Sequence, residues 1–178
     1  METVVLRQWS DADLIPYAAM NADPEVMRHF PAMLTAEESA ASLERLRRGI
    51  DLRGWGIWAV EVNNELAGFT GLSVPNFEAP FMPCTEIGWR FRREFWGRGI
   101  ATRAAREALR YGFDTLKLLE IVSFTATSNT RSQLLMQRLG FERDLDGDFD
   151  HPAVPIEHPV RRHVLYRLPR DRWLSRAE

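Results

Sequence analysis

The sequence predicts a single domain of mixed α/β class, with a mostly antiparallel central sheet flanked by helices. Two observations support this prediction. Segments rich in β-branched or alternating apolar residues recur along the chain, and between them apolar residues repeat every three to four positions, as in amphipathic helices. The 178 residues also suffice for one hydrophobic core, and no repeat or low-complexity tract divides them. We therefore expect residues 1–178 to form one domain.

Helix signals occur at four places along the chain. Ser10 is a suitable N-cap for a first helix, which the Asp23-Pro24 pair ends. Thr35 and Glu38 form a capping box that opens a second helix, expected at about residues 36–48. Two further helices are predicted, from Ile100 to Gly112 with a buried face of alanines and from Asn129 to Leu139 with Gly140 as C-cap. The alanine face predicts close packing of the third helix on the sheet.

The strands are predicted from alternation and from turn signals. Asn63-Asn64 is a hairpin signal between two strand-like segments, and residues 73–84 contain three prolines and should form a loop. A second loop is expected at residues 144–160. The predicted strands are residues 2–9, 56–62, 65–72, 85–91, 120–127, a strand that begins with Phe141, and 161–168.

Composition excludes several classes of function. The formal net charge is −2 and no basic helix face stands out, so we expect no nucleic-acid partner. No apolar segment approaches the ~20 residues of a membrane span, and the N-terminus lacks the pattern of a signal peptide. The single cysteine, Cys84, cannot form an internal disulfide. These observations predict a cytoplasmic protein without a membrane partner.

An acidic segment suggests a calcium loop but does not have the required spacing. Asp144, Asp146 and Asp148 occupy positions 1, 3 and 5 of such a loop. The sixth position should be glycine and is Phe149, and the twelfth should be glutamate and is Pro155. The four histidines are not spaced like zinc ligands either. We therefore predict no metal site.

The segment FWGRGIAT, residues 95–102, predicts an anion-binding turn. Gly97 and Gly99 precede a long helix, so free backbone N–H groups and the positive end of the helix dipole face the same concavity. Two glycines at a strand-to-helix turn can also serve sterics alone. The segment lacks the Gly-Lys of a P-loop and the third glycine of a dinucleotide-binding turn, so a different phosphate-bearing ligand is expected.

Two blocks of sequence resemble the GNAT superfamily of N-acetyltransferases. They are TEIGWRFRREFWGRGIATRAAREALRYGF at residues 85–113 and SFTATSNTRSQLLMQRLGF at residues 123–141, and they are most similar to the branch containing the ribosomal-protein alanine N-acetyltransferases. The family's acetyl-CoA signature, Gln/Arg-x-x-Gly-x-Gly/Ala, corresponds to residues 96–101. Trp96 stands in place of its first residue. The resemblance implies acetyl-CoA as cosubstrate.

The resemblance also implies roles for individual residues. The backbone of Gly97, Arg98, Gly99, Ile100, Ala101 and Thr102 would hold the CoA pyrophosphate, with Arg98 and Arg103 neutralising charge. Trp89, Arg90 and Phe91 would line the pantetheine path, and an N–H near Phe91 would polarise the thioester carbonyl. Asn129 would contact the pantetheine arm.

Ser132 corresponds to a serine that can protonate the departing thiolate. Met136 replaces the tyrosine that many members use for this step, and methionine cannot donate a proton. The thiolate could also leave unprotonated, and the Ser132 hydroxyl could simply bond to a helix carbonyl.

Glu86 is the best candidate for the general base. It lies within a predicted strand, where an unpaired carboxylate is costly to bury, just before the expected thioester position. An ion pair with Arg90, on the same strand face, is the alternative interpretation. His163 and Tyr166 point to opposite faces of the last strand, so at most one should line the site. Cys84 has no adjacent histidine and is not expected to act as a nucleophile.

Together these features predict an N-acetyltransferase. It would move the acetyl group to a primary amine, either a peptide N-terminus or a small molecule, by direct attack in a ternary complex. The alternative is a non-catalytic CoA-binding sensor or interaction module on the same fold. A homodimer is compatible with the six tryptophans, but nothing in the sequence requires one.

Overall fold

The structure, a computed structural model, describes residues 2–175. Its strands are β1 (Val4–Arg7), β2 (Ile57–Val62), β3 (Glu65–Ser73), β4 (Glu86–Phe91), β5 (Glu120–Ala126), β6 (Glu142–Asp150) and β7 (Arg162–Pro169). Its α-helices are α1 (Leu14–Asn21), α2 (Ala36–Arg53), α3 (Ile100–Arg110), α4 (Thr130–Leu139) and α5 (Arg170–Ser175).

Within the described residues these strands form one sheet in the order β1-β2-β3-β4-β5-β7-β6. All neighbouring strands are antiparallel except β4 and β5, which are parallel. Helices α1 and α2 pack on one face, against Ala59 and Phe69. Helices α3 and α4 pack on the other, against Ile87 and Tyr166. The predicted mixed, mostly antiparallel sheet flanked by helices is confirmed.

Several local signals have the expected structural effect. The turn residues Asn63 and Asn64 both have positive φ, 51° and 64°, as a tight hairpin requires. At the start of α2 the Glu38 N–H donates to Thr35 Oγ1, and the Glu38 carboxylate accepts from the Thr35 N–H. Gly140 ends α4 in the left-handed region.

The alanine face of α3 brings this helix close to the sheet. Ala104, Ala105 and Ala108 are fully buried. One turn further on, a Cβ at Gly112 would lie 2.7 Å from Ile121 Cδ1 and 3.0 Å from Leu72 Cδ1. The close packing predicted from small residues is therefore present.

The structure differs from the predicted elements in the second helix, in the C-terminal loop and at the C-terminus. Helix α2 continues to Arg53, where Gly54 ends it. Strand β6 includes residues 144–150, which we expected to be a loop. This acidic segment lacks the alternating apolar residues that would have predicted a strand. It can still form one because β6 lies at the edge of the sheet, where acidic side chains stay near solvent or form ion pairs such as Arg143–Asp148. Helix α5 was not predicted.

No helix among residues 2–175 is long and apolar enough to span a membrane. In the same part of the chain, no group of three or more His, Cys, Asp or Glu side chains could hold a metal ion.

Candidate active site

The parallel strands β4 and β5 pair only at one end. Their single register pair is Glu86 with Val122, where the Val122 N–H donates to the Thr85 carbonyl at 2.9 Å. Ser123 Oγ donates to the Ile87 carbonyl at 2.9 Å, just beyond this pair. Towards their carboxyl ends the strands no longer pair, which leaves a cleft in the sheet. Ligands of open α/β sheets bind at such carboxyl ends of parallel strands.

The edge of β4 offers three backbone groups to this cleft. The Arg92 N–H donates to the Ala67 carbonyl of the β3 side, so by antiparallel alternation the backbone groups of Arg90 and Gly88 also face β3. Those of Trp89 and Phe91 face the cleft. The Phe91 carbonyl already accepts from the Trp96 indole at 2.8 Å. The Trp89 N–H, the Trp89 carbonyl and the Phe91 N–H remain.

The resemblance placed Arg90 along the pantetheine path, but the backbone groups of this residue face β3 and not the cleft. Its backbone bonds to β3, and its side chain lies on the α1–α2 face of the sheet. The resemblance placed three consecutive residues along the path, whereas only alternate residues of a strand can face a neighbouring ligand edge.

The turn before α3 forms an open anion cradle. Gly97 and Gly99 have φ of 72° and 71°, and a Cβ on either would meet nothing within 4 Å. The first helical hydrogen bond runs from the Arg103 N–H to the Gly99 carbonyl, so the N–H groups of Ile100, Ala101 and Thr102 have no helical acceptor. These groups and the helix dipole suit a pyrophosphate, and the cradle therefore fits acetyl-CoA.

The two arginines beside this cradle contact an acidic residue. The Arg98 guanidinium forms an ion pair with Glu2, and Arg103 donates to the Glu2 carbonyl at 3.1 Å. Arg98 also donates to the Glu94 carbonyl. The expected neutralisation of phosphate by Arg98 would require this guanidinium to leave Glu2.

Asn129 is the N-cap of α4. Its Oδ1 accepts from the Ser132 N–H at 3.2 Å, and its Nδ2 donates to Thr125 Oγ1 at 2.9 Å. The amide thus joins the start of α4 to the end of β5, and one donor and one acceptor position remain for a ligand. The half-buried Ser132 hydroxyl forms no hydrogen bond within residues 2–175, so the alternative of a bond to a helix carbonyl is not observed.

Glu86 lies at the closed end of the cleft. Its carboxylate accepts one weak hydrogen bond, 3.5 Å from Ser73 Oγ, and forms no ion pair within the described chain. Burial raises the pKa of Glu86 to about 7, against a smaller opposing effect of Ser73. The Glu86–Arg90 ion pair that was the alternative is absent, because Arg90 bonds to Asn21 Oδ1 at 2.6 Å instead.

An aromatic cluster that the sequence analysis did not identify covers β5, β6 and β7 on the sheet face that also carries the Glu86 side chain. Its members are Phe77, Phe81, Phe124, Phe149, His151 and His163. Strand alternation could have placed Phe124 and His163 on the face of Glu86, because register pairs connect them through Val122. The positions of Phe77 and Phe81, in the proline-rich loop, depend on tertiary packing.

Burial favours the neutral form of both histidines in this cluster. His151 and His163 have ring centroids 5.0 Å apart, and burial lowers the pKa of both, that of His151 to about 4. His163 Nδ1 donates to the Arg161 carbonyl, so its Nε2 carries the lone pair. Tyr166 lies on the opposite face, where its hydroxyl bonds to Gln133.

Comparison with known proteins gives the family. The model of the Acetyltransferase (GNAT) domain matches residues 3–142. The chain is 32% identical over 164 residues to the FsC-acetyl coenzyme A-N(2)-transacetylase of Aspergillus fumigatus, covering 87% of this chain and 68% of that protein.

Solved structures share the fold. Spermidine N-acetyltransferase from Vibrio cholerae, in complex with CoA and spermine, has a TM-score of 0.74 at 19% identity, covering 96% of this chain and 98% of that one. Ribosomal-protein-alanine N-acetyltransferase from Brucella melitensis has a TM-score of 0.70 at 16% identity, covering 93% and 99%. The cleft, the anion cradle and the domain match agree: the chain belongs to the GNAT family and is an acetyl-CoA-dependent N-acetyltransferase.

Proposed function

We propose that this enzyme acetylates a primary amine by direct attack in a ternary complex, with Glu86 as the general base. The observation that carries the proposal is the environment of Glu86, a buried carboxylate without an ion pair at the closed end of the cleft. A carboxylate with a pKa of about 7 can accept a proton from an ammonium acceptor near neutral pH, which a surface carboxylate does poorly. Glu86 would take this proton before or during the attack.

The edge of β4 would stabilise the oxyanion that forms on the thioester carbonyl. Of the two N–H groups facing the cleft, that of Trp89 is the deeper. It lies three residues from Glu86, ~10 Å along the strand, whereas Phe91 is five residues away, ~17 Å. We therefore assign the oxyanion contact to the Trp89 N–H, and Phe91, the residue first expected to polarise the carbonyl, to the pantetheine path.

Ser132 is the proposed proton donor to the departing thiolate. Helix α4 packs on the face of the sheet opposite to Glu86, so base and acid would act from the two sides of the cleft. Met136 is buried and has no proton to give. An acyl-enzyme on Cys84 is disfavoured because burial, together with Glu86, raises the pKa of this thiol to about 11.

The proposed acceptor is a peptide N-terminus or a small-molecule amine. The proposed location of the enzyme is the cytoplasm, whose reducing conditions suit the free thiol of Cys84. The solved neighbours act on different amines, one on spermidine and one on a ribosomal protein. We also propose a homodimer, for which the six tryptophans offer contact surface.

The test is release of CoA thiol from acetyl-CoA against a panel of amines and N-terminal peptides, with Glu86→Gln alongside. Turnover on one acceptor class, lost in the variant with acetyl-CoA affinity retained, supports the proposal. Acetyl-CoA binding by calorimetry without turnover on any acceptor would favour the CoA-binding sensor instead.

A further inference from the structure

Arg90 is a largely buried cation with few partners. Its guanidinium stacks 4.0 Å from the ring of Phe30 and 5.4 Å from that of Phe69. Of its five N–H donors, the described residues use one, which reaches Asn21 Oδ1, and the buried Nε has no partner. The residue as a whole is intermediate in exposure and not fully enclosed, and its other N–H donors have no partner within residues 2–175.

No carboxylate in the described chain neutralises this cation. Arg90 forms no ion pair with any residue between 2 and 175, and Glu86 on the same strand face has no electrostatic contact with it. Burial lowers the pKa of Arg90 to about 10, which leaves it charged at pH 7. A buried charge without a counter-charge is costly and buried charges are normally paired, so an anion supplied from outside the chain would relieve this cost.

The surface between Glu86 and Arg90 is open. Gly88 lies between them on the same face, and a Cβ there would meet only Glu86 Oε1, at 3.7 Å. The Cα atoms of Glu86 and Arg90 are ~13 Å apart along the strand. Because strand side chains stand roughly perpendicular to the sheet, the two head groups lie on one face at up to about this spacing, and an acceptor that bridges them needs an amine and an anionic group several bonds apart.

We propose that the acceptor carries a carboxylate in addition to its amine, and that Arg90 binds this carboxylate while the amine faces Glu86 over Gly88. This inference rests on the proposed function and assigns the acceptor class for the same site. A guanidinium with several free donors matches a carboxylate in a bidentate arrangement. Polyamines, which bring only positive charge to this cation, are poor acceptors.

The test is a panel of matched amines. Each amino acid, with the amine at the α or a more distant carbon, is compared with its carboxamide, and spermidine is included. For the wild-type enzyme we expect kcat/KM at least tenfold higher for the best carboxylate than for its amide. Arg90→Gln should bring this ratio close to one, mainly through KM, and Arg90→Lys should retain part of the preference.

Two controls separate this role from others. Calorimetry should give the same Kd for acetyl-CoA in wild type and Arg90→Gln. A large loss of acetyl-CoA affinity would return Arg90 to the cosubstrate and overturn the proposal. If Arg90→Gln does not fold, the wild-type ratio of kcat/KM for the carboxylate over its amide still tests whether the acceptor carries a carboxylate.

The contradicting results are distinct. Equal rates on acids and amides, or a preference for spermidine, would overturn the carboxylate inference and leave the acetyltransferase proposal intact. A preference that persists in a folded Arg90→Gln enzyme would overturn the role of Arg90. No turnover with any amine would contradict both proposals.

Discussion

The carboxylate of Glu86 lies 3.5 Å from the hydroxyl of Ser73, and within residues 2–175 this is its only hydrogen bond. Ser73 and Glu86 are register partners on adjacent strands, so the weak bond follows from the pairing of β3 with β4. Because no cation among residues 2–175 forms an ion pair with Glu86, burial dominates and raises its pKa to about 7. The same buried environment makes Glu86 a suitable base near neutral pH and lowers the stability of the folded protein when Glu86 is ionised.

The pH dependence of the reaction tests the base. Because Glu86 must be deprotonated to accept a proton, kcat/KM should rise with pH up to about 7 and then level. Glu86→Gln should lower kcat by ~10²–10⁴-fold and abolish the rise of kcat/KM with pH below about 7. A variant that keeps this rise near pH 7 would show that another group titrates, although His151, with a pKa of about 4, would not account for it.

The same pKa predicts a change in stability with the opposite direction. The folded protein binds more protons than the unfolded chain between pH 4.5, the ordinary pKa, and about 7. Stability should therefore fall as pH rises through this window and stay low above it. Glu86→Gln has no such titration, so at pH 8 it should be more stable than wild type by up to about 3 kcal/mol.

Denaturant unfolding at pH 4.5 and pH 8 measures this difference. At pH 4.5 the variant and wild type should be similar, because Glu86 is protonated in the folded protein. An equal difference at both pH values would mean that packing, not ionisation, separates the two proteins.

Two glycines with the same left-handed backbone conformation allow a controlled test of the anion cradle, because only one of them lies in it. Gly99 and Gly54 have φ of 71° and 75°, and a Cβ on either meets nothing within 4 Å. Either glycine replaced by alanine should cost ~1–2 kcal/mol of stability, because both sites are left-handed. Gly99→Ala should in addition raise the Kd of acetyl-CoA more than tenfold, since its Cβ would project into the cradle.

Gly54 lies at the other end of α3, near Tyr111, and Gly54→Ala should leave this Kd unchanged. Calorimetric titration of both variants measures the two effects. Equal loss of affinity in both would mean that strain, not the cradle, controls binding.

Asn129 combines a structural role with a proposed ligand contact. Asn129→Ala should cost ~1 kcal/mol of stability by removing the cap of α4. Asn129→Ser keeps a capping oxygen and should preserve most of that stability, yet raise the Kd of acetyl-CoA about tenfold through loss of one hydrogen bond. Unchanged affinity in the folded serine variant would restrict Asn129 to capping.

Ser132 tests how the thiolate leaves. Ser132→Ala should lower kcat about 100-fold with little change in acetyl-CoA affinity, and Ser132→Thr, which keeps a hydroxyl, should retain more activity. Single-turnover rates measure the chemical step directly. A kcat within twofold of wild type in Ser132→Ala would mean that the thiolate leaves unprotonated.

The sequence alone determined the features that depend on neighbouring residues. The capping box of Thr35, the hairpin at Asn63 and the glycine turn before α3 are local, because backbone conformation there depends on a few adjacent side chains. Alternation was enough to place Glu86 within a strand. The order of helices and strands along the chain and the class of fold follow from these segments, whereas the order of strands within the sheet does not.

Only the tertiary structure decided which groups meet. The separation of β4 from β5 beyond Glu86, and the alternation that faces Trp89 but not Arg90 to the cleft, depend on strand register. Glu2 reaches Arg98 across 96 residues of sequence. Such contacts are set by long-range packing and the exclusion of water, which local patterns do not encode. The absence of any counter-charge for Arg90 within residues 2–175 likewise became visible only after the chain had folded.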